Sequence, residues 1–290
     1  VQIIDGLDSM VRERLRDWCA QNSGRFPQNI LYYRDGVSDQ QYAQVKDEEL
    51  PQIRAGFDKF VEEVQIQNDE DLAPQTIKLT AVVCTKRHHT RFYPADSKDK
   101  QTNGNNNCKP GTLVERSVTS PYFTDFYLQS HNGLKGTAKP AHYFVLVNEM
   151  DMKIPDLQHL TYNLCLTYVR ATMGVSYAAP AYYADRLCER ARCYLRDFFA
   201  PPQHKRTELE DRRRDLEQKK GIRPPKSTDK MTPMQKAVER LRVKDVKEQI
   251  EKELMRETWE SVKRRFYPED EDEDFDLERF DKLQETMYWM

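Results

Sequence analysis

An α/β domain on a mixed sheet, followed by charged helices, is the fold class that the sequence predicts. Three observations carry it. Through the first 200 residues, short apolar runs of strand length alternate with stretches whose apolar positions recur at i, i+3 and i+4. Beyond them the composition changes: the first 200 residues hold 24 basic and 25 acidic side chains and the last 90 hold 22 and 23, so the charged fraction rises from about a quarter to half. The whole chain of 290 residues is 38% hydrophobic and 32% charged, with net charge −2, a pI near 6.4 and a mean hydropathy of −0.88. That is apolar material for one large core or two small ones, with part of the chain outside them.

The same arithmetic excludes several classes. No apolar run approaches the roughly 20 residues that cross a bilayer, and Val1-Gln2-Ile3-Ile4-Asp5 carries neither a basic stretch nor a starting Met, as expected of a fragment without a secretory leader. Cys19, Cys84, Cys108, Cys165, Cys188 and Cys193 show no Cys-x-x-Cys and no Cys/His pair at metal spacing, so free thiols in a reducing compartment are expected.

The first element is a helix over 7–19, with Leu7, Met10, Val11, Leu15 and Trp18 at helical spacing. Gln28-Asn29-Ile30-Leu31-Tyr32-Tyr33-Arg34-Asp35-Gly36 reads as a buried central strand ending in an acid and a turn-forming glycine, where α/β folds carry site residues. Ser38, a good N-cap, opens a helix to about Val64. Residues 78–85, 123–130 and 142–148 are further strands, and 96–110, rich in Asn and Lys, form an exposed loop. Helices over 157–170 and 180–199 close this part, the second with Pro180 in its first turn. Pro201-Pro202 ends that pattern, Arg223-Pro224-Pro225-Lys226 interrupts the tail, and helical composition resumes over 234–266. Residues 201–265 hold 20 basic against 13 acidic side chains, and 269–281 hold 9 acidic against one basic. A solvated helical face is the simpler reading of these runs; contact with nucleic acid or a partner is the alternative. Trp18, Tyr32, Tyr33 and Phe57 are expected in the core.

Five constellations stand out: Tyr33-Arg34-Asp35-Gly36-Val37-Ser38, Lys86-Arg87-His88-His89-Thr90-Arg91, Ser130-His131-Asn132-Gly133, Thr167-Tyr168-Val169-Arg170 and Ala179-Pro180-Ala181-Tyr182-Tyr183-Ala184-Asp185. In this order they resemble the PIWI domain of a eukaryotic Argonaute protein, a fungal, quelling-type member being one form the resemblance allows. Similarity runs from Gln2 to Leu195 and returns at Thr286-Met287-Tyr288-Trp289-Met290. It implies an RNase H-like PIWI fold over 1–200, lacking its first strands, a charged and partly helical insertion over 201–270, and a PIWI tail over 271–290. It further implies upstream PAZ and MID domains, a guide small RNA and a target RNA as partners beside silencing proteins, no membrane, and a cytoplasmic location. The activity implied is RNA-mediated gene silencing with metal-dependent cleavage of the paired target.

In-line attack of water on a phosphodiester is promoted by two divalent cations about 4 Å apart, and Mg²⁺ prefers carboxylate oxygens and retained waters. By resemblance Asp35 matches the family's second aspartate, and Asp185 stands where the family carries His or Asp; both are the expected ligands of Mg²⁺ or Mn²⁺. Taken alone, an Asp before Gly at a strand end reads as a turn residue. Gln2 matches the family's inserted glutamate, and an amide brings no negative charge to a metal. The family's first aspartate would lie upstream of Val1. A guide-binding scaffold that silences through partners without cleavage is therefore the alternative.

Lys86, Arg87, His88, His89 and Arg91 place five potential donors in six positions after a strand, a physically reasonable phosphate-contacting edge. By resemblance they follow the guide backbone, as do His131, Lys139, Tyr168, Arg170, Ser176 and Tyr182, with Lys139 replacing the more frequent Arg. Arg190 matches the residue that reaches the guide's 5′-phosphate; Arg192, two positions on, cannot share its helical face. A metal site at His88-His89 is set aside, because adjacent side chains rarely converge on one ion.

Overall fold

The computed structural model describes residues 3–68, 76–96, 98, 100, 106–222 and 233–266. Gln2, the interruption at 223–226, the acidic run 269–281 and the C-terminal motif 286–290 lie outside them. The structure divides into two compact units, 1–183 and 184–290.

In the first unit, β1 (Asn29–Asp35), β2 (Lys78–Thr85), β3 (Thr112–Val114), β4 (Asp125–Gln129) and β5 (Ala141–Asn148) form one sheet in the order β1-β2-β5-β4-β3. β1 and β2 are parallel and the other neighbours antiparallel, so the sheet is mixed. The register gives β4 the same direction as β1 and β2. Asp35 lies opposite Cys84, Thr85 opposite His142 and Leu128 opposite Ala141. Three strands therefore end, and β5 begins, at one edge of the sheet.

β2 is largely apolar between Leu79 and Cys84, where every residue, Thr80 included, is buried because both of its faces are covered. Leu79 and Ala81 pack with Leu7 of α1 (Leu7–Gln21) and with Leu50 and Ile53 of α3 (Leu50–Asn68). Val82 and Cys84, on the other face, pack with Leu157 of α4 (Ile154–Leu164) and with Ala181 in the first turn of α5 (Ala179–Tyr194). α1 and α3 are joined by Leu15, Phe57, Phe60 and Val61. Their backbones come close at Gly56, where a Cβ would lie 2.6 Å from the carbonyl oxygen of Asp8.

Several expectations are corrected. β1 is an edge strand among the described residues, with β2 as its neighbour, and only Tyr33 in it is buried, because no strand covers its outer side. The helix expected from Ser38 changes geometry along its length: a 3₁₀ turn at Asp39–Gln41, one α turn in α2 (Tyr42–Gln44), a π turn at Val45–Glu49, then α3. Gln41 still supplies the capping contact, its Oε1 accepting from the Ser38 N–H at 2.9 Å. The helix expected over 157–170 stops at Leu164, since the Val175 N–H bonds back to the Cys165 carbonyl and folds 165–175 into a loop. The pattern over 180–199 breaks at Leu195 into α5 and α6 (Arg196–Phe199). Trp18 is half-exposed on α1, whereas Tyr33 and Phe57 are in the core.

In the second unit, α7 (Gln203–Lys219) follows Pro202 and pairs with α8 (Pro233–Phe266). Leu216, Ile250 and Leu254 form a small core, flanked by Phe198, Leu209 and Val246. Arg212 pairs with Glu257 and Lys220, just past α7, with Glu253, so these partners run opposite ways along α8 and the helices are antiparallel; Arg213 pairs with Glu251 between the helices. Much of the basic charge in this segment is thus matched within it.

Candidate nucleic-acid interface

The sheet edge gathers side chains that are far apart in sequence. Asp35 ends β1, half-buried, and Gly36 follows at φ 82°, a left-handed turn that glycine adopts without strain. Lys86, one residue past β2, is half-buried with its ammonium 6.0 Å from the centre of the Tyr177 ring. Burial lowers its pKa, the charge of Lys139 lowers it further, and Asp35 acts in the opposite sense. His131, two residues past β4, is pushed down to about 4, first by burial and then by Lys86, so it is neutral at pH 7. Lys139 is exposed just ahead of β5.

A ring stack adjoins Lys86. Tyr177 lies 5.0 Å from Tyr182, Tyr182 4.5 Å from Tyr168, and Tyr168 4.9 Å from Tyr183. Tyr168 and Ser176 are buried. Their loop is held to β4 by Ser130, whose Oγ donates to the Val175 carbonyl at 2.6 Å, and by Gly174, where a Cβ would meet the Ser130 carbonyl oxygen at 2.7 Å. Arg170 is exposed on this loop.

The run 86–91 divides by role. Arg87 and His89 are exposed. His88 turns inward: its Nε2–H donates to the Pro140 carbonyl at 2.9 Å, its ring lies 5.3 Å from Tyr127, and burial lowers its pKa. Arg91 donates to the carbonyls of His88 at 3.0 Å and Thr90 at 2.7 Å. His88 and Arg91 therefore shape the loop, whereas Arg87 and His89 are exposed and Lys86 faces the Tyr177 ring.

Sequence reasoning missed two pairs here. His142 Nε2 lies 2.6 Å from Oδ2 of buried Asp125, and the His142 ring stacks on Tyr127 at 4.4 Å, backing the His88 loop. Only the strand register brings these residues together. The second pair is Arg34 with Glu49. The Glu49 carboxylate is 0% exposed and accepts from Arg34 Nε at 3.1 and 2.9 Å, Arg34 Nη2 at 2.9 Å, the Tyr32 hydroxyl at 3.0 Å and the Ile4 N–H at 3.1 Å. The π turn that presents Glu49 leaves no signal in hydrophobic periodicity.

Asp35, Lys86, His131, Lys139, Tyr168, Ser176 and Tyr182 all belong to the first unit. Asp185 and Arg190 belong to the second, exposed on α5. Arg190 Nε donates to the Tyr194 hydroxyl at 3.2 Å, while the Arg192 guanidinium lies 5.7 Å from the Phe199 ring, so the two arginines have separate surroundings. Among the described residues, no three His, Cys, Asp or Glu side chains converge where they could hold a metal ion. Asp35, a hard oxygen donor on a half-buried strand end, fits Mg²⁺ as one ligand and does not form a cage by itself.

The family model described as the Piwi domain matches residues 1–196, and the chain belongs to the Piwi family. Its relatives within that family include Argonautes. Protein argonaute 2 of Oryza sativa subsp. japonica is 43% identical over 191 residues, 63% of this chain and 17% of the relative. Protein argonaute 7 of Arabidopsis thaliana is 40% identical over 194 residues, 67% of this chain and 18% of the relative. The C-terminal lobe of a budding yeast Argonaute matches with a TM-score of 0.61 at 36% identity, over 69% of this chain and 39% of that one. Kluyveromyces polysporus Argonaute with a guide RNA matches with a TM-score of 0.62 at 34% identity, over 71% and 24%. The fold is thus the RNase H-like PIWI fold of Argonaute lobes. The chain spans less than a fifth of the two curated relatives, and α7 and α8 lie beyond the family match. Among the described residues no helix is long and apolar enough to cross a membrane.

Proposed function

We propose that the protein containing this chain binds a small guide RNA, silences RNAs paired to it, and cleaves such targets with a divalent metal. The observation that supports this most directly is the sheet edge of a Piwi-family unit where Asp35, Lys86, His131 and Lys139 converge. Lys86, Arg87, His89, Lys139 and Arg170 supply charge and N–H donors to guide phosphates. Tyr168, Ser176 and Tyr182 build the wall behind Lys86, neutral His131 hydrogen-bonds without adding charge, and His88 and Arg91 hold the loop. Arg190 takes the 5′-phosphate, next to a MID domain of the same protein. A solved relative, Kluyveromyces polysporus Argonaute with a guide RNA, supports the guide-binding reading.

Asp35 and Asp185 are the carboxylates that this chain contributes toward Mg²⁺ or Mn²⁺. A divalent cation bound by such ligands activates water and stabilises the leaving oxygen. Asp35 is held by its strand end and the turn at Gly36. We assign 1–200 to the PIWI part, 201–270 to an insertion and 271–290 to a returning tail, in a cytoplasmic protein with PAZ and MID domains and silencing partners. Gln2 favours a second reading, a guide-loaded scaffold that does not cut, because an amide stands at the family's glutamate position.

A single-turnover assay on the full-length protein, given a 5′-phosphorylated guide, Mg²⁺ and complementary RNA, tests the choice. A cut opposite the centre of the guide that Asp35→Ala abolishes establishes the nuclease. Tight target binding with no cut establishes the scaffold.

A further inference from the structure

Glu49 is a charge enclosed by donors from two separate stretches of chain. Arg34 engages it through Nε and Nη2, and the Tyr32 hydroxyl comes from the same strand. The Ile4 N–H comes from the stretch that leads away from Gln2. The remaining Arg34 nitrogen, Nη1, donates to the backbone carbonyl of Asp35. Gln52, one helical turn further on, repeats the pattern: its Oε1 accepts from the Leu7 N–H at 3.0 Å and its Nε2 donates to the Ile4 carbonyl at 3.1 Å. Glu49 reaches this position through the π turn at Val45–Glu49, a geometry that is rare in helices and frequent at functional sites.

Stability alone does not account for such a pair. Burying two charges carries a desolvation cost that their attraction barely offsets, and apolar side chains of similar volume often serve a fold as well or better. What the pair adds is a single permitted arrangement of the groups around it. Asp35 ends β1 directly after Arg34, and the fork on Glu49 reaches its backbone through the Nη1 contact with the Asp35 carbonyl.

We infer that Glu49 is a positioning residue: through Arg34 it orients Asp35 and through Ile4 it fixes the stretch 3–8, so that this stretch and the end of β1 move as one body. The inference rests on the reading of Asp35 as a metal ligand.

The test uses the full-length protein loaded with guide and target, in the variants Arg34→Met with Glu49→Leu, Glu49→Asp, and Asp35→Ala. Mn²⁺ affinity is read from the electron paramagnetic resonance of free Mn²⁺, and hydrogen exchange is read on peptides covering 3–8, 33–37 and 79–84. In the apolar double variant the thermal midpoint is expected to fall modestly, since the Tyr32 hydroxyl and the Ile4 N–H lose their acceptor, while protection falls together in 3–8 and 33–37 and persists in 79–84. Its Mn²⁺ affinity is expected to drop roughly 10- to 100-fold, as for the loss of other groups that orient metal ligands. If the double variant does not fold, Glu49→Asp, which keeps the charge and withdraws it by one methylene, must show the same paired loss of protection. Native protection in both segments, or loss in one alone, overturns the coupling. Mn²⁺ binding that survives Asp35→Ala overturns the metal-ligand reading instead, and the exchange data still decide whether Glu49 couples the two segments.

Discussion

Acidification should weaken this fold through His131. Its pKa is held at about 4 in the folded state, first by burial and then by Lys86, against 6.5 as the ordinary value. Between those values the unfolded chain carries a proton that the folded chain refuses. The stabilisation is therefore complete above pH 6.5 and is lost as pH falls through the window toward 4. A gap of about 2.5 units at about 1.4 kcal/mol per unit sets a ceiling of about 3.5 kcal/mol. Partial contact with solvent brings the expectation down to about 1–2 kcal/mol. Urea unfolding from neutral pH to about pH 4.5 measures the slope, and the imidazole proton resonance measures the pKa. His131→Gln should flatten the slope by that amount. Lys86→Met should raise the His131 pKa only in part, because burial is the larger cause. A His131 pKa at or above the ordinary value, or an unchanged slope in His131→Gln, refutes the reasoning.

Gly56→Ala sets two effects against each other. Helix propensity favours Ala by about 1 kcal/mol, but the new Cβ would lie 2.6 Å from the Asp8 carbonyl oxygen and 3.0 Å from the Asp8 Cα. Both are backbone atoms, and such overpacking costs about 1–3 kcal/mol, so the urea midpoint should fall; a rise contradicts the close approach of α1 and α3. Arg170→Ala should flatten the log–log salt dependence of guide binding by about 0.7, and an unchanged slope removes Arg170 from the interface. Leu254→Ala opens the small core of the second unit, where Leu254 is 3% exposed, and should cost that unit about 2–5 kcal/mol. Loss of exchange protection in α7 would show it, and full protection would deny the pairing of α7 with α8.

Local pattern made the layered architecture legible. The apolar run of β2 announced a strand, and the spacing of Leu7, Val11 and Leu15 announced α1. The site was legible only as motifs, since Asp35, Lys86 and His131 lie in separate stretches and their meeting follows from three strands ending at one edge. What stayed hidden depends on long-range pairing. Nothing local distinguishes Glu49 from the exposed Glu48 beside it; the π turn does, and it is stabilised by Arg34, Tyr32 and Ile4. His88 and Arg91 read as free donors because their partners are carbonyls, which no sequence displays. β1 read as central because its apolar, aromatic run Ile30-Leu31-Tyr32-Tyr33 leads to an acid and a glycine, although no described strand lies on its outer side.

The central claim is that the sheet edge beyond β1, β2 and β4 holds the guide. The most direct test is the guide affinity of the full-length protein carrying Lys86→Ala with Lys139→Ala, measured across a salt series. Lys59→Ala serves as the control, since Lys59 sits on α3 and pairs with Asp8. Two lost phosphate contacts should flatten the log–log slope by about 1.4 and weaken binding markedly at low salt, with the control unchanged. An affinity and slope equal to those of the unaltered protein would place the guide elsewhere and contradict the account.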